Sequence, residues 1–573
     1  MSKIKPKLHE FLNYLKKDKY FQIFLIVFII GAVLRYYGLR NAENTDEYNE
    51  VIEGLRTASG RLNYERWFKK GYQNILAIEY GVYFIIGYIL GIFNNPMDFA
   101  AKIVRNMEPL FLIGRYTTAT MGTLSIGLIY LIGRKIYNDR VALIAATFFT
   151  VNSIHVWTSH LVGTDVPLTF FFLLSFYFII RFFYSGKTFD YIMAAFLGAV
   201  TINIKLTGIG IGIIFILSQI IKCKNEGRRI IHYIYSKEIL YSFLSFISGL
   251  IISNPALVLG FKKFILFYFN IYTNVYDEVP YAIGGNAYYT YLLLLYKEFW
   301  IPLSLLVIVS LIYALYKREE WDYILIGFII GLFLVLANTD FLVQNRYLMT
   351  MFPVLFLLSG RFLDSLFNKV FVSDKKRAGS LVIICALMLA FPLINSIKYV
   401  RTLTEDNTSI ASKKWIETNI PVGSKILMDA GRTIITSGPR LNQSREKLEE
   451  KLNIIKNLKE GKTYDSPMVG IVDSYASIYF ELLLKNMPEI TYDITTTELG
   501  RNIESIDYYK ENGFDFFIHD KDLDFRINDP LWRKKYPKSA EFYDSIDEEF
   551  KLIKTLSPSA TRSGSTIKIY KIK

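Results

Sequence analysis

The chain has 573 residues, of which 52% are hydrophobic and 21% charged. Its 66 Lys and Arg outnumber 52 Asp and Glu, for a net charge of +14. Several almost uncharged runs are long enough to cross a hydrocarbon core of ~30 Å, which excludes an ordinary soluble enzyme. The positive excess gathers at the ends of those runs, as orientation signals do, so it does not call for nucleic acid. The two cysteines, Cys223 in a basic loop and Cys385 in an apolar run, offer neither a disulfide framework nor a thiolate metal site.

The first apolar run is too long for a signal-peptide core and no small-residue cleavage site follows it, so it is expected to stay as a helix. Crossings are predicted at about 20–38, 109–133, 141–158, 164–184, 190–204, 206–222, 238–259, 297–316, 322–337, 346–364 and 379–398, about 11 in all. Six lysines in the first 19 residues place the N-terminus in the cytoplasm. With eleven crossings, the basic stretches Arg134-Lys135 to Arg140, Lys222 to Lys237, Lys317-Arg318 and Lys369 to Arg377 all fall inside. Asp46, Asp165 and the C-terminal part then fall outside. This parity requires residues 78–93, a short apolar stretch without a basic flank, to be re-entrant or interfacial. Residues 190–204 and 206–222, split by Lys205, read as two short helices with a tight outer turn. Trp321-Asp322-Tyr323 reads as an interfacial anchor.

Near Arg401 the composition turns polar. The expected organisation is a membrane domain over 1–403 and a small extracytoplasmic domain over 404–573, α/β or α+β in class. Helices are predicted over Ser412–Asn419, Arg445–Leu458 and Asn502–Glu511. Strands are predicted over Lys425–Met428, Met468–Val472, Phe514–His519 and Thr566–Tyr570. The fold class is therefore mostly α: a polytopic helical membrane domain with interfacial helices and a small soluble domain.

Carboxylates at the edge of an apolar run are costly to keep from water and usually mark a working site. Asp46 and Glu47 follow the first run, in Asn44-Thr45-Asp46-Glu47-Tyr48. Asp46 is held near headgroup level, where a carboxylate can accept a proton from an incoming hydroxyl. The rest of that outer loop mixes acids, Arg, Lys and aromatics, as suits helices lying in the interface. Asp165 opens a later run, in Thr164-Asp165-Val166-Pro167, which equally suits a helix cap. His160 precedes it and is a candidate assistant. Arg346, Arg115, Lys205 and Lys262-Lys263 break the positive-inside trend and are candidates to hold a lipid phosphate, or to snorkel to headgroups.

No P-loop, His-Glu-x-x-His or Gly-x-Ser-x-Gly occurs. Gly208-Ile209-Gly210-Ile211-Gly212 reads as close helix packing. Asn407-Thr408-Ser409 and Asn442-Gln443-Ser444 are glycosylation sequons.

At these residues the chain resembles the GT-C superfamily of membrane glycosyltransferases, in the branch of the protein O-mannosyltransferases and the lipid A aminoarabinose transferases. The matching stretches are Asp46-Glu47, Arg115, Gly133-Arg134, Ser159-His160 to Asp165-Val166-Pro167-Leu168, and Arg346-Tyr347 with Pro353. The resemblance implies inverting transfer from a polyprenyl- or dolichyl-phosphate sugar to a lipid, glycan or protein acceptor, on the outer face of the cell membrane. Asp46 would match the base, Asp165 the second acid, and Arg346 a donor-phosphate contact. No nucleotide is implied, and no ligand cluster is visible for the divalent metal that some branches use. The family's Pro-Pro-Leu-Tyr stretch is replaced by Ala77-Ile78-Glu79-Tyr80, which leaves Glu79 as a weak candidate, and a lectin-like module is missing. A transporter or flippase of lipid-linked sugars would more often show repeated halves and mid-membrane charges. A non-catalytic scaffold is the third reading.

Overall fold

The computed structural model describes residues 18–42, 46–60, 70–229, 235–262, 287–338, 343–370, 374–430, 438–459 and 474–572. The chain divides into two compact units. One comprises Met1–Tyr37, Glu50–Glu79 and Gly114–Tyr399; the other comprises Gly38–Asn49, Tyr80–Ile113 and Val400–Lys573. The second unit therefore takes in two early segments besides the residues after 403.

In chain order the long helices are α1 (Lys19–Tyr36), α2 (Glu47–Ala58), α3 (Lys70–Ile89), α4 (Pro96–Arg105), α5 (Glu108–Ile136), α6 (Asp139–Thr150), α7 (Ser153–Ser159) and α8 (Asp165–Ser185). They continue as α9 (Thr188–Ile204), α10 (Ile211–Asn225), α11 (Lys237–Ser253), α12 (Ala287–Lys317), α13 (Glu320–Ala337), α14 (Phe352–Val370) and α15 (Asp374–Thr402). All eleven segments expected to cross are helical. Among the described residues six helices are long and apolar enough to span a membrane, and a bent pair makes a seventh. The protein is a multi-pass membrane protein. Residues 78–89, expected to be re-entrant or interfacial, are the second half of the continuous helix α3, with Ile78, Val82, Ile85 and Ile89 exposed along it.

Lys205 does divide two helices, as its placement suggested. Its extended backbone ends α9, and a 3-10 turn, Leu206–Gly210, leads into α10. Polar side chains tie the neighbours together. Ser175 Oγ donates to the Ala194 carbonyl (2.8 Å), and Asn203 Nδ2 donates to the Leu250 carbonyl and to Ser253 Oγ (2.9 and 2.7 Å). Such interhelical bonds are worth roughly 0.6 kcal/mol each in a membrane.

The segment 141–158 is not one straight helix. It breaks between α6 and α7, which meet at 61°. A break exposes carbonyls at one helix end and N–H groups at the next, and in an apolar setting each must find a partner. Here Arg35 of α1, fully buried, donates to the Thr150 and Phe149 carbonyls (3.1 and 3.4 Å). Ser396 Oγ donates to the Val151 carbonyl (2.9 Å). On the other side Asn152 caps α7 through His155 N (2.9 Å). Glu298 accepts from Ile154 N, Ser153 Oγ and Asn152 Nδ2 (3.1, 2.9 and 3.0 Å). A cation thus sits on the carbonyl end and an anion on the N–H end, the signs both helix dipoles favour. Glu298→Ala is expected to lose on the order of 3 kcal/mol, by orphaning three donors, two of them buried, whereas Glu298→Gln keeps an acceptor oxygen and most of the stability. Thermal unfolding of the detergent-solubilised protein measures the difference; equal losses in the two variants would remove Glu298 as the cap.

The C-terminal residues form a five-stranded sheet of β1 (Lys425–Met428), β2 (Asp493–Thr496), β3 (Phe516–Asp520), β4 (Lys551–Leu556) and β5 (Ile567–Lys571). The order is β2-β1-β3-β5-β4, with β1 parallel to β2 and β3, and β5 antiparallel to β3 and β4. Strand alternation fills two cores. Ile426, Met428, Phe516, Ile518, Ile567 and Ile569 face helix Thr408–Asn419 on one side. Leu427, Phe517 and Tyr570 face Phe542, Ile546 and Phe550 on the other. Strands β1, β3 and β5 and the three helices were expected within a few residues. Met468–Val472 lies outside the described residues, and β2 and β4 were not anticipated.

At the carboxyl ends of β1 and β3, Asp429 accepts from Thr497 Oγ1 and Tyr543 OH (2.9 and 2.6 Å) and pairs with His519 Nδ1 (2.6 Å). His519 Nε2 meets Asp524 (3.1 Å). Burial disfavours the imidazolium, but its hydrogen bonds to Asp429 and Asp524 outweigh burial and push the pKa up to about 9. A folded pKa above the unfolded ~6.5 means stability that is complete below pH ~6.5 and lost as pH climbs through the folded value. The loss should be on the order of 3 kcal/mol. Chemical unfolding of the sheet at pH 6 and pH 10, with His519→Asn as comparison, checks this: the variant should lack the slope.

Candidate active site

Three chain ends in the first unit bring charge to one place. Asp165 is the first residue of α8 and only 5% exposed. Its carboxylate reaches across to other segments of the chain and does not fold back as a helix cap. Lys205 Nζ, from the break between α9 and α10, lies 2.5 Å from Asp165 Oδ1. Arg346 Nε lies 3.7 Å from Asp165 Oδ2. Arg346 was expected to open the helix over 346–364; instead it sits in a separate 3-10 turn, Asn345–Leu348, and α14 starts only at Phe352. Gln344 accepts from Arg346 Nε (2.5 Å), which fixes the guanidinium. Lys205 Nζ also lies 4.1 Å from the centre of the Tyr347 ring, a cation–π distance.

The carboxylate is buried while both cations keep some exposure, 17% for the Lys205 side chain and 21% for Arg346. Two cations therefore reach the accessible side of the cluster, with the anion behind them. The N-terminus of α8 adds a further positive partial charge. An Arg fork beside an ammonium suits a phosphate group.

Arg115, on α5, is 6% exposed. Its neighbour Gly114 passes Val162 so closely that an added Cβ would come within 2.9 Å of the valine methyls. That contact seats α5 against the loop leading to Asp165. His160, expected to assist Asp165, is instead fully buried, with Nδ1 at the Val156 carbonyl (2.8 Å) and Nε2 at the Tyr37 carbonyl (3.0 Å). It braces backbone. Glu79, on α3, accepts from Thr117 Oγ1 of α5 (2.6 Å).

Asp46 is exposed in the turn that opens α2, and Glu47, its first residue, is 1% exposed. Both belong to the second unit. In the first unit, Glu50 accepts from Gln73 Nε2 (3.0 Å), and Glu53 pairs with Lys70 and Arg56 (2.9 and 2.7 Å). Burial alone would raise the Glu53 pKa; Lys70 and Arg56 outweigh it and hold the group below the usual range. These buried acids were missed as members of a mixed interfacial loop. Their spacing of three, Glu47, Glu50 and Glu53, puts them on one helical face and was the available signal. Arg61, Arg66, Lys69 and Lys263 lie outside the described residues. Among the described residues no group of three or more His, Cys, Asp or Glu is gathered to hold a metal ion.

Residues 105–252, which include Arg115, Asp165 and Lys205, match the family model of dolichyl-phosphate-mannose-protein mannosyltransferases. No curated protein matches in sequence. Among solved structures, the chain is similar to the oligosaccharyltransferase of Archaeoglobus fulgidus in the apo form, with TM-score 0.52, 11% identity, and 96% of this chain and 75% of that chain covered. The same enzyme tethered to an acceptor peptide gives 0.50 at 11% identity, covering 97% and 74%. ArnT from Cupriavidus metallidurans bound to undecaprenyl phosphate gives 0.46 at 12% identity, covering 97% of each chain. The chain resembles GT-C membrane glycosyltransferases, of the branch that holds the protein O-mannosyltransferases.

Proposed function

We propose that this protein transfers a sugar from a polyprenyl- or dolichyl-phosphate donor to an acceptor hydroxyl on the extracytoplasmic face, with inversion at the anomeric carbon. The observation that carries the reading is Asp165 held between Lys205 and Arg346, with Asp165 and Lys205 inside the stretch that matches the mannosyltransferase family. The cation pair takes the donor's phosphate and steadies the charge that grows on it as the glycosidic bond breaks. Asp165 keeps the two cations oriented. Asp46 takes the acceptor's proton as its oxygen attacks, with Glu47 beside it in the chain as the alternative carboxylate. Membrane burial of the lipid tail fixes the reacting carbon, which supplies orientation. Arg115 and Glu79 are proposed as further substrate contacts, and His160 as a support. No nucleotide or metal enters the scheme. In the proposed topology the N-terminus is cytoplasmic and residues 404–573 are extracytoplasmic.

A binding experiment tests the phosphate assignment. Purified protein should bind sugar-free polyprenyl phosphate in a salt-sensitive manner and discriminate against the uncharged polyprenol. Equal binding of the alcohol would reject the assignment.

A further inference from the structure

A cavity of about 450 Å³ opens at the end of the first unit that carries Lys317 and Lys369, away from any residue of the proposed reaction. It lies between the C-terminal ends of α5, α12 and α14, and the start of α6. That volume is in the range of small-molecule sites. Its carboxylates are already paired with arginines. Arg361, 7% exposed, pairs with Asp322 and with Glu319 (2.6 Å) and lies 5.0 Å from the centre of the Tyr137 ring. Asp364 is held by Arg140 (3.0 Å) and by Asn138 Nδ2 (2.9 Å). Asp322 and Trp321 are therefore buried structural groups, and of the expected anchor only Tyr323 is at the surface.

Lys317 and Lys369 stand exposed on the rim, with no carboxylate partner among the described residues. The four cations Arg140, Lys317, Arg361 and Lys369 are set against the three carboxylates Glu319, Asp322 and Asp364. One positive charge remains, which matches a phosphodiester. Leading away from Lys317, α12 exposes Leu315, Ile312, Ile308 and Leu305 at helical spacing, each more than half exposed. This is an apolar track that starts at the charged rim, long enough to lie alongside an acyl chain.

We propose that the cavity binds the headgroup of an anionic phospholipid, with the phosphodiester between Lys317 and Lys369 and an acyl chain along α12. The rim lysines supply the charge, the buried Arg361 and Asp364 pairs hold the walls apart, and the track favours a lipid over a free phosphate. Basic pockets between membrane helices bind lipid headgroups in this way.

The test is native mass spectrometry of the delipidated full-length protein after addition of phosphatidylglycerol, phosphatidylcholine or inorganic phosphate. The wild type should retain phosphatidylglycerol at least tenfold better than phosphatidylcholine, and Lys317→Ala/Lys369→Ala should remove that preference. Arg318→Ala, an exposed basic neighbour outside the cavity, should leave it intact. Equal retention of the two lipids, equal loss in Arg318→Ala, or complete displacement by millimolar phosphate would overturn the proposal. Thermal unfolding of the double variant in detergent establishes that it is folded.

Discussion

Asp46→Asn is expected to lower sugar transfer by roughly 10²–10⁴-fold, the usual contribution of a positioned general base, while carrier binding stays within about twofold. Asparagine has nearly the volume of aspartate but cannot take a proton. Asp46 is exposed in a turn ahead of α2, so the substitution disturbs little packing and should cost no more than about 0.5 kcal/mol of stability. Single-turnover transfer and equilibrium carrier binding separate the chemical step from the binding step. Glu47→Gln is the comparison: Glu47 is buried, so its loss should appear first in stability. Full transfer by Asp46→Asn would move the base to another carboxylate.

The second large effect is expected at the cation pair. A charge-assisted hydrogen bond contributes roughly 1.5–3 kcal/mol, so Lys205→Met or Arg346→Met alone should weaken polyprenyl phosphate by about 10–100-fold. Removing both leaves Asp165 buried without a cation, which costs about 3–5 kcal/mol of folding stability. The triple variant Asp165→Asn/Lys205→Met/Arg346→Met separates the two effects. It has no stranded charge, so most of the stability should return while carrier binding stays lost. Recovery of binding along with stability would assign Lys205 and Arg346 to structure alone.

Much of the site was legible residue by residue. Lys205 and Arg346 stood out because each breaks the basic-side trend, and Asp165 because it opens an apolar run. Their meeting was not legible, because the three lie on separate stretches of chain and no local spacing joins them. The same holds for Arg35 and Glu298. Nothing in the apolar run 141–158 except Asn152 hints at a break, and the two charges that stabilise it come from α1 and α12. His160 was misread because proximity in sequence to Asp165 suggested a shared task, whereas its ring turns to backbone carbonyls. In the sheet, β1 and β3 carry short apolar runs and β5 places Ile567 and Ile569 in alternation, while β2 is Asp-Ile-Thr-Thr and β4 has two lysines, so the signal was weak there. The acidic face of α2 was readable from its spacing, and was overlooked because charge was taken to mean solvent.

The most direct measurement of the central claim supplies the purified full-length protein with radiolabelled polyprenyl-phosphate sugars in membranes, and follows both label and lipid. Label should leave the carrier with stoichiometric release of polyprenyl phosphate, at a rate that falls with Asp46→Asn and with Lys205→Met. Label that stays on the carrier while crossing the bilayer, or release unchanged in both variants, would contradict it.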